Sequence, residues 1–266
     1  MADITAFSDG SVNDSGKVNW RGDQATTPIG QSVYKSSSVK LATLGARVVV
    51  GDRVFRYSRA GGTVVPGDVV GKAGVAVDGI DTPAATTPTP GQQGDKYFAY
   101  YSTLARAADF YADGVLVQQT GTDGNAGQQY GIKTHAALLA TTVGQYLTLY
   151  DPLVASAATS GNTWFAVENP YSRVVAASGG IQYPMGVAAV GCASGEYLWL
   201  QTWGPAPVRA AVCTAVGVSL TVGVAGAVGA YISTASAGTP LNAVIGYSMQ
   251  VMTASTKGLV FVQIAP

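Results

Sequence analysis

Few side chains in this sequence could do chemistry. There is one histidine, His135, and only two cysteines and two glutamates accompany it. A Ser-His-Asp triad would have to use His135, but the sequence has no nucleophile elbow. A histidine-based zinc site needs more histidines, and most aspartates stand before glycine or in polar loops, where turns account for them. We expect a protein that is not an enzyme and has no catalytic, cofactor-binding or metal-binding residues.

Residues 53–70, RVFRYSRAGGTVVPGDVV, place glycines beside three arginines. AGGTVVPGD does not match the phosphate-binding pattern GxxxxGK[ST]. VGVAGAVGA, further along the chain, lacks the strand–helix context of a dinucleotide-binding loop. The pairs Gly61-Gly62 and Pro66-Gly67 therefore predict turns between consecutive strands rather than a cradle for an anion.

The arginines are candidate contacts with a partner. Arg53 and Arg59 fall opposite Arg56 if this stretch is a strand, because strand side chains alternate between two faces. They are either solvated charges that deter edge pairing or contacts with an acidic partner surface. Both interpretations stay open at this stage.

Aromatic residues form a second candidate surface. Trp199 and Trp203 share one parity of EYLWLQTWG with Tyr197, so they could belong to the core, to an interface or to a sugar-stacking platform. The polar N-terminal stretch adds isolated anchors. The candidate partner-interface residues are Trp20, Arg21, Tyr34, Arg53, Arg56, Arg59, Trp199 and Trp203.

Charge is sparse and unevenly placed. Charged residues make up 11% of the chain, with 15 basic and 15 acidic side chains, against about 25% in an average soluble domain. Residues 151–266 contain only three of each sign. This balance gives no general electrostatic attraction to nucleic acid or to an anionic membrane, and the uncharged second half predicts a surface shared with a partner.

The pattern of hydrophobic residues predicts an all-β chain. Short alternating runs such as RVFRYS, GVLVQQT and LVFVQI are separated by Gly, Pro, Asn and Asp. STLARAADFYA fits either one short helix or a strand pair. We predict antiparallel β-sandwich or barrel-like lobes with little helix: an extended arm over residues 1–40, one lobe over 41–152 and a second over 153–266, the two lobes forming either two domains or one.

Residues 210–232 are long and apolar enough to cross a bilayer. From Val212 to Val224, however, large residues at even positions alternate with small ones at odd positions, which is typical of strands. We predict one long strand, or two strands joined at Gly217, rather than a membrane helix. The first residues, MADITAFSDGSV, lack the features of a signal peptide, so we expect the chain to stay where it is made, with reduced thiols.

The run LGARVVVGDRVFRYSRAGGTVVPGDVV resembles a group of tailed-bacteriophage head proteins that are encoded near the major capsid protein. The matching residues are Leu44, Gly45, Phe55, Arg56, Tyr57, Arg59, Gly61 and Gly67. YADGVLV, YGIKTH, LTLYDPL, ENPYSRVV and YLWLQTWGPAPV are similar in style. The resemblance covers roughly residues 41–266, and PGDVVGKAGVAV also resembles the β-tulip strands of small head-stabilising proteins.

The resemblance implies a capsid decoration or cement protein that binds the outer surface of the virion after synthesis in the host cytoplasm. Its partners would be the phage major capsid protein and itself, as a homotrimer first and a homodimer second, with no direct nucleic acid, membrane or cofactor. The alternative is a glycan-binding or tail-associated receptor-binding module, which the Trp199 and Trp203 pattern suggests.

Overall fold

The computed structural model describes most of the chain. The described residues are 10–12, 18–20, 31–72, 77–81, 91–102, 105–120, 127–137, 141–155, 163–177, 183–210, 213, 215–223, 226–230, 243–254 and 256–265. They contain strands and turns and no α-helix, so the prediction of an all-β fold is confirmed.

Eighteen strands lie within these residues. They are β1 Gly10–Val12, β2 Val18–Trp20, β3 Arg47–Val50, β4 Arg53–Arg59, β5 Val69–Lys72, β6 Val77–Asp81, β7 Tyr97–Ser102, β8 Val115–Thr120, β9 Gln129–His135, β10 Thr141–Leu149, β11 Thr163–Val167, β12 Val175–Ala176, β13 Tyr183–Ala188, β14 Tyr197–Arg209, β15 Ser219–Val222, β16 Val228–Ala230, β17 Val244–Ser248 and β18 Lys257–Gln263.

The chain divides into two compact units. Met1–Gly74 and Pro170–Pro266 form the split unit, and Val75–Asn169, inserted between them, forms the barrel unit. This division differs from the lobes 41–152 and 153–266 that the sequence suggested. The cause is long-range pairing: β5 pairs with β12 and β13, which follow it by about a hundred residues. The turn-forming pair Asp151-Pro152 lies inside the barrel unit and marks only a turn.

The barrel unit is a closed antiparallel barrel with the strand order β10-β7-β6-β11-β8-β9. Closure leaves no free sheet edge. Alternate side chains point inwards, and the core centres on Trp164, which packs against Phe98 with 4.9 Å between ring centroids. Leu116, Ile132 and Leu147 complete the same core.

The split unit is built on one large antiparallel sheet with the order β12-β5-β13-β14-β18-β17-β15-β16. β4 also pairs with β14, and β3 pairs with β4. β14 has 13 residues and pairs with β4 through its first half and with β18 through its second half. Most of the sheet therefore takes its register from this one strand.

Pro205 and Pro207 lie within β14, although proline rarely occupies a central strand. The backbone N–H of Arg209 donates to the carbonyl of Gly67 at 2.7 Å, on the edge of β14 that faces away from β18. Residues 205 and 207 have the same parity as 209, so the N–H groups that their prolines lack would also point away from β18. The β14–β18 ladder consequently keeps its hydrogen bonds.

β4 is buried on both faces. On one face Phe55 and Tyr57 pack with Val33, Leu44, Val48 and Trp199. On the other, Leu198 and Leu200 of the paired strand pack with Ala60, Val64 and Val174. The predicted alternation, with Phe55 and Tyr57 opposite Val54, Arg56 and Ser58, is confirmed by this pairing.

The predicted extended arm, residues 1–40, is more structured than expected where it is described. β1 and β2 pair as an antiparallel two-stranded sheet. Residues 31–40 pack within the split unit, because Gln31 donates to the Tyr197 carbonyl at 3.0 Å and Ser37 forms a β-bridge with Tyr197. The remaining residues of the arm lie outside the described part of the chain.

Two further sequence expectations can be compared with the structure. Residues 105–114 of STLARAADFYADG form turns, so the helical alternative does not hold there, and residues 103–104 lie outside the description. Gly217 has φ of 78° in a turn before β15, so of the two alternatives the structure favours a break at Gly217 over one long strand. No helix in the described ranges has the length and apolar character needed to span a membrane.

Replacing Gly246 with alanine should strongly destabilise the split unit. Gly246 has φ of 150°, and a Cβ atom there would collide with the backbone carbonyl of Phe261 on β18. We expect Gly246→Ala to lower the free energy of unfolding by about 3 kcal/mol, measured by urea denaturation.

Gly62→Ala is the matched control. Its Cβ would meet only a methyl group of Val175 at 3.6 Å, and the change should stay within about 1 kcal/mol. Equal effects of the two substitutions would contradict the close approach of β17 to β18.

Candidate functional site

Arg53 and Arg59 lie near the two ends of β4 and are held against tyrosines. The Arg53 guanidinium donates to the Tyr34 hydroxyl at 2.6 Å and lies over the rings of Tyr34 and Phe55. The Arg59 side chain donates to the Gly195 carbonyl at 3.3 Å and lies 5.9 Å from the Tyr197 ring centroid. Stacking and hydrogen bonding position both charges before any partner arrives.

Arg56 points to the opposite face, as the alternation predicted. Its guanidinium donates to the Gly45 carbonyl at 3.2 Å. Across the β3–β4 ladder it stands directly opposite Arg47, an exposed arginine that the sequence interpretation had not singled out. The positive charge of Arg56 opposes the effect of burial, which raises the pKa of Tyr171.

Trp199 is not available to a partner in this structure. Only 1% of its surface is exposed, and its ring packs 4.9 Å from the ring of Tyr57 within the core. Of the three interpretations left open for Trp199, the structure supports that of a core residue. Its place among the candidate partner-interface residues is therefore wrong, because the 31–46 segment and β4 enclose it.

Trp203 does not share a face with Trp199. A bulge between Gln201 and Trp203 shifts the β4–β14 register, so that Gln201 pairs with Phe55 and Trp203 with the adjacent Val54. The extra residue turns Trp203 to the other side of the sheet, which the parity of EYLWLQTWG could not indicate. The proposed Trp199–Trp203 platform is not formed.

Trp203 instead belongs to another row of aromatic rings. It meets Phe261 edge-on at 5.7 Å, and Phe261 stacks on Tyr247 at 5.2 Å with their ring planes 7° apart. All three side chains are half-buried. The alternation in VIGYSMQV and LVFVQI could have identified Tyr247 and Phe261, because hairpin pairing places directly opposed residues on one face.

The other two candidate interface residues, Trp20 and Arg21, are described only in part or not at all. Trp20 pairs through its backbone with Gly10 in the β1–β2 ladder, and its side chain is not described. Arg21 lies outside the described residues. The structure therefore brings Tyr34 and Arg53 together, places Arg56 and Arg59 on opposite faces of the same strand, and separates Trp199 from Trp203.

An ion pair between buried Asp68 and half-buried Arg209 in the split unit was missed by the sequence interpretation. Asp68 is almost fully buried, and its carboxylate lies 3.0 Å from the Arg209 guanidinium. The same carboxylate accepts a hydrogen bond from the Val65 backbone N–H at 3.2 Å. Gly226 packs directly against it, with no room for a Cβ. Through these contacts Asp68 stabilises the turn before β5.

His135 has a structural role in the barrel unit. Its Nδ1 donates to the Ala136 carbonyl at 2.7 Å, which leaves Nε2 to accept from the Tyr111 backbone N–H at 2.9 Å. Asp109 fixes the same turn by accepting from the Thr134 hydroxyl and the His135 N–H. Burial lowers the pKa of His135, against the opposing effects of the Ala136 carbonyl and the Asp109 charge.

The two cysteines are buried and free. Burial and the neighbouring Glu196 raise the pKa of Cys192 to about 12. A thiol with such a pKa is almost entirely protonated at neutral pH and is a poor nucleophile. In the part of the chain that the structure describes, no three His, Cys, Asp or Glu side chains come together as a metal site.

No family model, curated protein or solved structure matches this chain.

His135 should make the stability of the barrel unit depend on pH. The folded protein holds the neutral imidazole, whereas in the unfolded chain His135 titrates near its ordinary pKa of about 6.5. Stability should be complete above about pH 6.5 and fall as the pH drops towards the lower pKa of the folded state, by at most about 1.4 kcal/mol per pH unit.

Urea denaturation of the wild type and of His135→Gln between about pH 5 and pH 7 measures this effect, since glutamine does not titrate. Asp109 and the other carboxylates are common to both proteins, so the difference between the two curves isolates His135. Parallel stability curves would show that His135 carries no such linkage.

Proposed function

We propose that this chain is a structural virion protein that binds the outside of a phage capsid and cements neighbouring major-capsid-protein subunits. The observation that carries the proposal is the segment 44–67, which contains the residues that resemble the phage head proteins. In the fold, its buried members Phe55 and Tyr57 lie on β4, and Leu44 belongs to the same core cluster. Gly45 and Gly67 take positive φ at its turns.

Such a strand suits a protein that bears load between neighbours. A contact surface transmits force only if its side chains are fixed, and Arg53 and Arg59 are each held by a hydrogen bond and a tyrosine ring. Each contact of this kind is weak alone. Many identical copies on a symmetric shell add their contacts through multivalency, so that a modest site can stabilise the whole particle.

The proposed assembly is a homotrimer at a local threefold axis of the shell, with a dimer at a twofold axis as the second choice. The partners are the major capsid protein and further copies of this chain. The proposed role involves no catalysis, cofactor, direct nucleic-acid contact or membrane. The protein would be made in the host cytoplasm and reside on the outer surface of the virion.

A head protein of this kind must be present in a fixed ratio to the major capsid protein. We expect quantitative mass spectrometry of intact, purified virions to find it at that ratio. Heads assembled without it should open at a lower temperature than complete heads, and adding the purified chain should restore the higher temperature. Virions that lack the chain altogether would rule out the proposal.

A glycan-binding or tail-associated receptor-binding module is the second candidate. The observation that favours it is the aromatic row of Trp203, Phe261 and Tyr247, because half-exposed rings on one sheet face can stack on sugars. Trp199 is excluded from such a platform by its burial.

If the row binds a glycan, Trp203→Ala should abolish binding on a glycan array. Tyr183→Ala is the control, because Tyr183 is exposed but lies outside the row. Loss of a common glycan signal in Trp203→Ala alone would favour this candidate. An array without signal for the wild-type protein would remove it.

A further inference from the structure

The core of the barrel unit contains two hydrogen-bond donors that no protein group satisfies. Gln118 and Trp164 are each only 2% exposed. In the part of the chain that the structure describes, neither the Gln118 Nε2 nor the Trp164 Nε1 has an acceptor. A buried donor of this kind gives up its bond to water on folding and gains nothing in return, so such donors are rare in native proteins.

The two side chains share one place in the barrel. Trp164 on β11 pairs directly with Gln118 on β8, so both point to the same face of the sheet. That face is the interior, because Trp164 packs against Phe98 and Tyr130 with 4.9 Å and 6.2 Å between ring centroids. Directly opposed side chains lie close enough for both N–H groups to reach one oxygen atom, which has two lone pairs. We name Gln118 and Trp164 the donor pair.

The polar groups around the donor pair are bonded within the barrel unit. The Tyr130 hydroxyl donates to the Gln128 side chain at 2.5 Å and accepts from the Val154 backbone N–H at 3.1 Å. The backbone of Gln118 itself is bonded to Gly127 and Gln128. The missing acceptor is therefore a property of the donor pair and not of loose packing around it.

The donor pair lies one layer below a rim of the barrel. Thr163, the neighbour of Trp164, pairs with both Thr120 and Asp81, and Asp81 also pairs with Tyr101. β6 and β8 end at this level, and β11 begins there. The mouth of a barrel is a common place for a small-molecule site.

Two irregularities in the strands lie at the same rim. Gln119 of β8 is an extra residue between the partners of Thr163 and Trp164, so a bulge lies directly beside the donor pair. β10 has three residues between Thr141 and Gln145 where β7 has one. Bulges concentrate at barrel rims and next to functional sites, where they redirect side chains and interrupt the ladder. They let the rim open locally for a ligand while the rest of the barrel stays closed.

The charges in the barrel unit decide which acceptor fits. Among its described residues, the buried polar or charged side chains are Gln118, His135, Glu168 and Asn169. None of them carries a positive charge, since the Nε2 of His135 accepts a hydrogen bond and the ring is neutral. A buried carboxylate or phosphate would therefore lack a countercharge, at a high cost. A neutral carbonyl oxygen needs only the two donors, and the aromatic rings around Trp164 suit a flat apolar body.

We propose that the barrel unit binds a small, neutral, mainly apolar molecule whose carbonyl oxygen accepts hydrogen bonds from both members of the donor pair. Ketones, esters and amides with a flat apolar body belong to this class. Binding at this rim needs neither a capsid nor the aromatic row of Trp203, so it can hold or fail independently of the proposed function.

Acetophenone is a suitable probe, because it joins a carbonyl oxygen to a flat apolar ring. α-Methylstyrene is its matched control, in which a methylene group replaces the oxygen. In nitrogen–proton NMR correlation spectra of the full chain, acetophenone should shift the Trp164 indole signal and the Gln118 side-chain amide signals until they saturate. α-Methylstyrene should bind about tenfold more weakly, the factor expected for one lost hydrogen bond. The indole signal of Trp199, buried in the split unit, should not move.

Three variants test the donors one at a time. Gln118→Leu removes one donor at similar size, and it should weaken acetophenone binding about tenfold while leaving α-methylstyrene binding unchanged. Trp164→Phe assigns the indole signal and should lower the affinity for acetophenone in the same way. Gln119→Leu, at the exposed neighbouring position, is the control and should bind acetophenone as the wild type does. The two probes on the wild-type protein decide the question even where a variant fails to fold.

Two results would overturn the proposal. One is a Trp164 indole signal that acetophenone does not shift, or that both probes shift equally at the same concentrations. The other is cross-relaxation between this N–H and a long-lived internal water that acetophenone does not displace, which would assign the donor pair to water only.

Discussion

The bulge in β14 is the constraint on which the split unit depends. It lies at Thr202, whose hydroxyl donates to the Ala265 carbonyl at 2.7 Å and so ties the irregular residue to the end of β18. Before the bulge β14 follows β4, and beyond it β14 follows β18. Without the extra residue, Trp203 would fall on the same side as Trp199, and one ladder or the other would lose its register.

This constraint decides which side chains reach the surface. The aromatic residues before the bulge, Tyr57 and Trp199, enter a closed core, whereas Trp203 beyond it joins a half-exposed row. Arg53 and Arg59 lie at the ends of the buried stretch of β4 and reach solvent along the rings of Tyr34 and Tyr197.

The sequence predicted those features of the fold that neighbouring residues determine. Period-two alternation identified the strands of RVFRYS and LVFVQI, and the turn at Gly217 followed from the freedom of glycine. It could not predict a bulge, because one inserted residue leaves the alternation of EYLWLQTWG unchanged. The division into units was equally hidden, since the pairing of β5 with β12 joins segments separated by the whole barrel unit.

The fold also divides the charge in a way that composition alone does not show. Summed along the chain, the 15 basic and 15 acidic residues cancel. The two units divide the same charges unequally: the split unit has twelve basic and seven acidic residues, and the inserted barrel has three basic and eight acidic residues. Complementary charge is therefore present within each molecule.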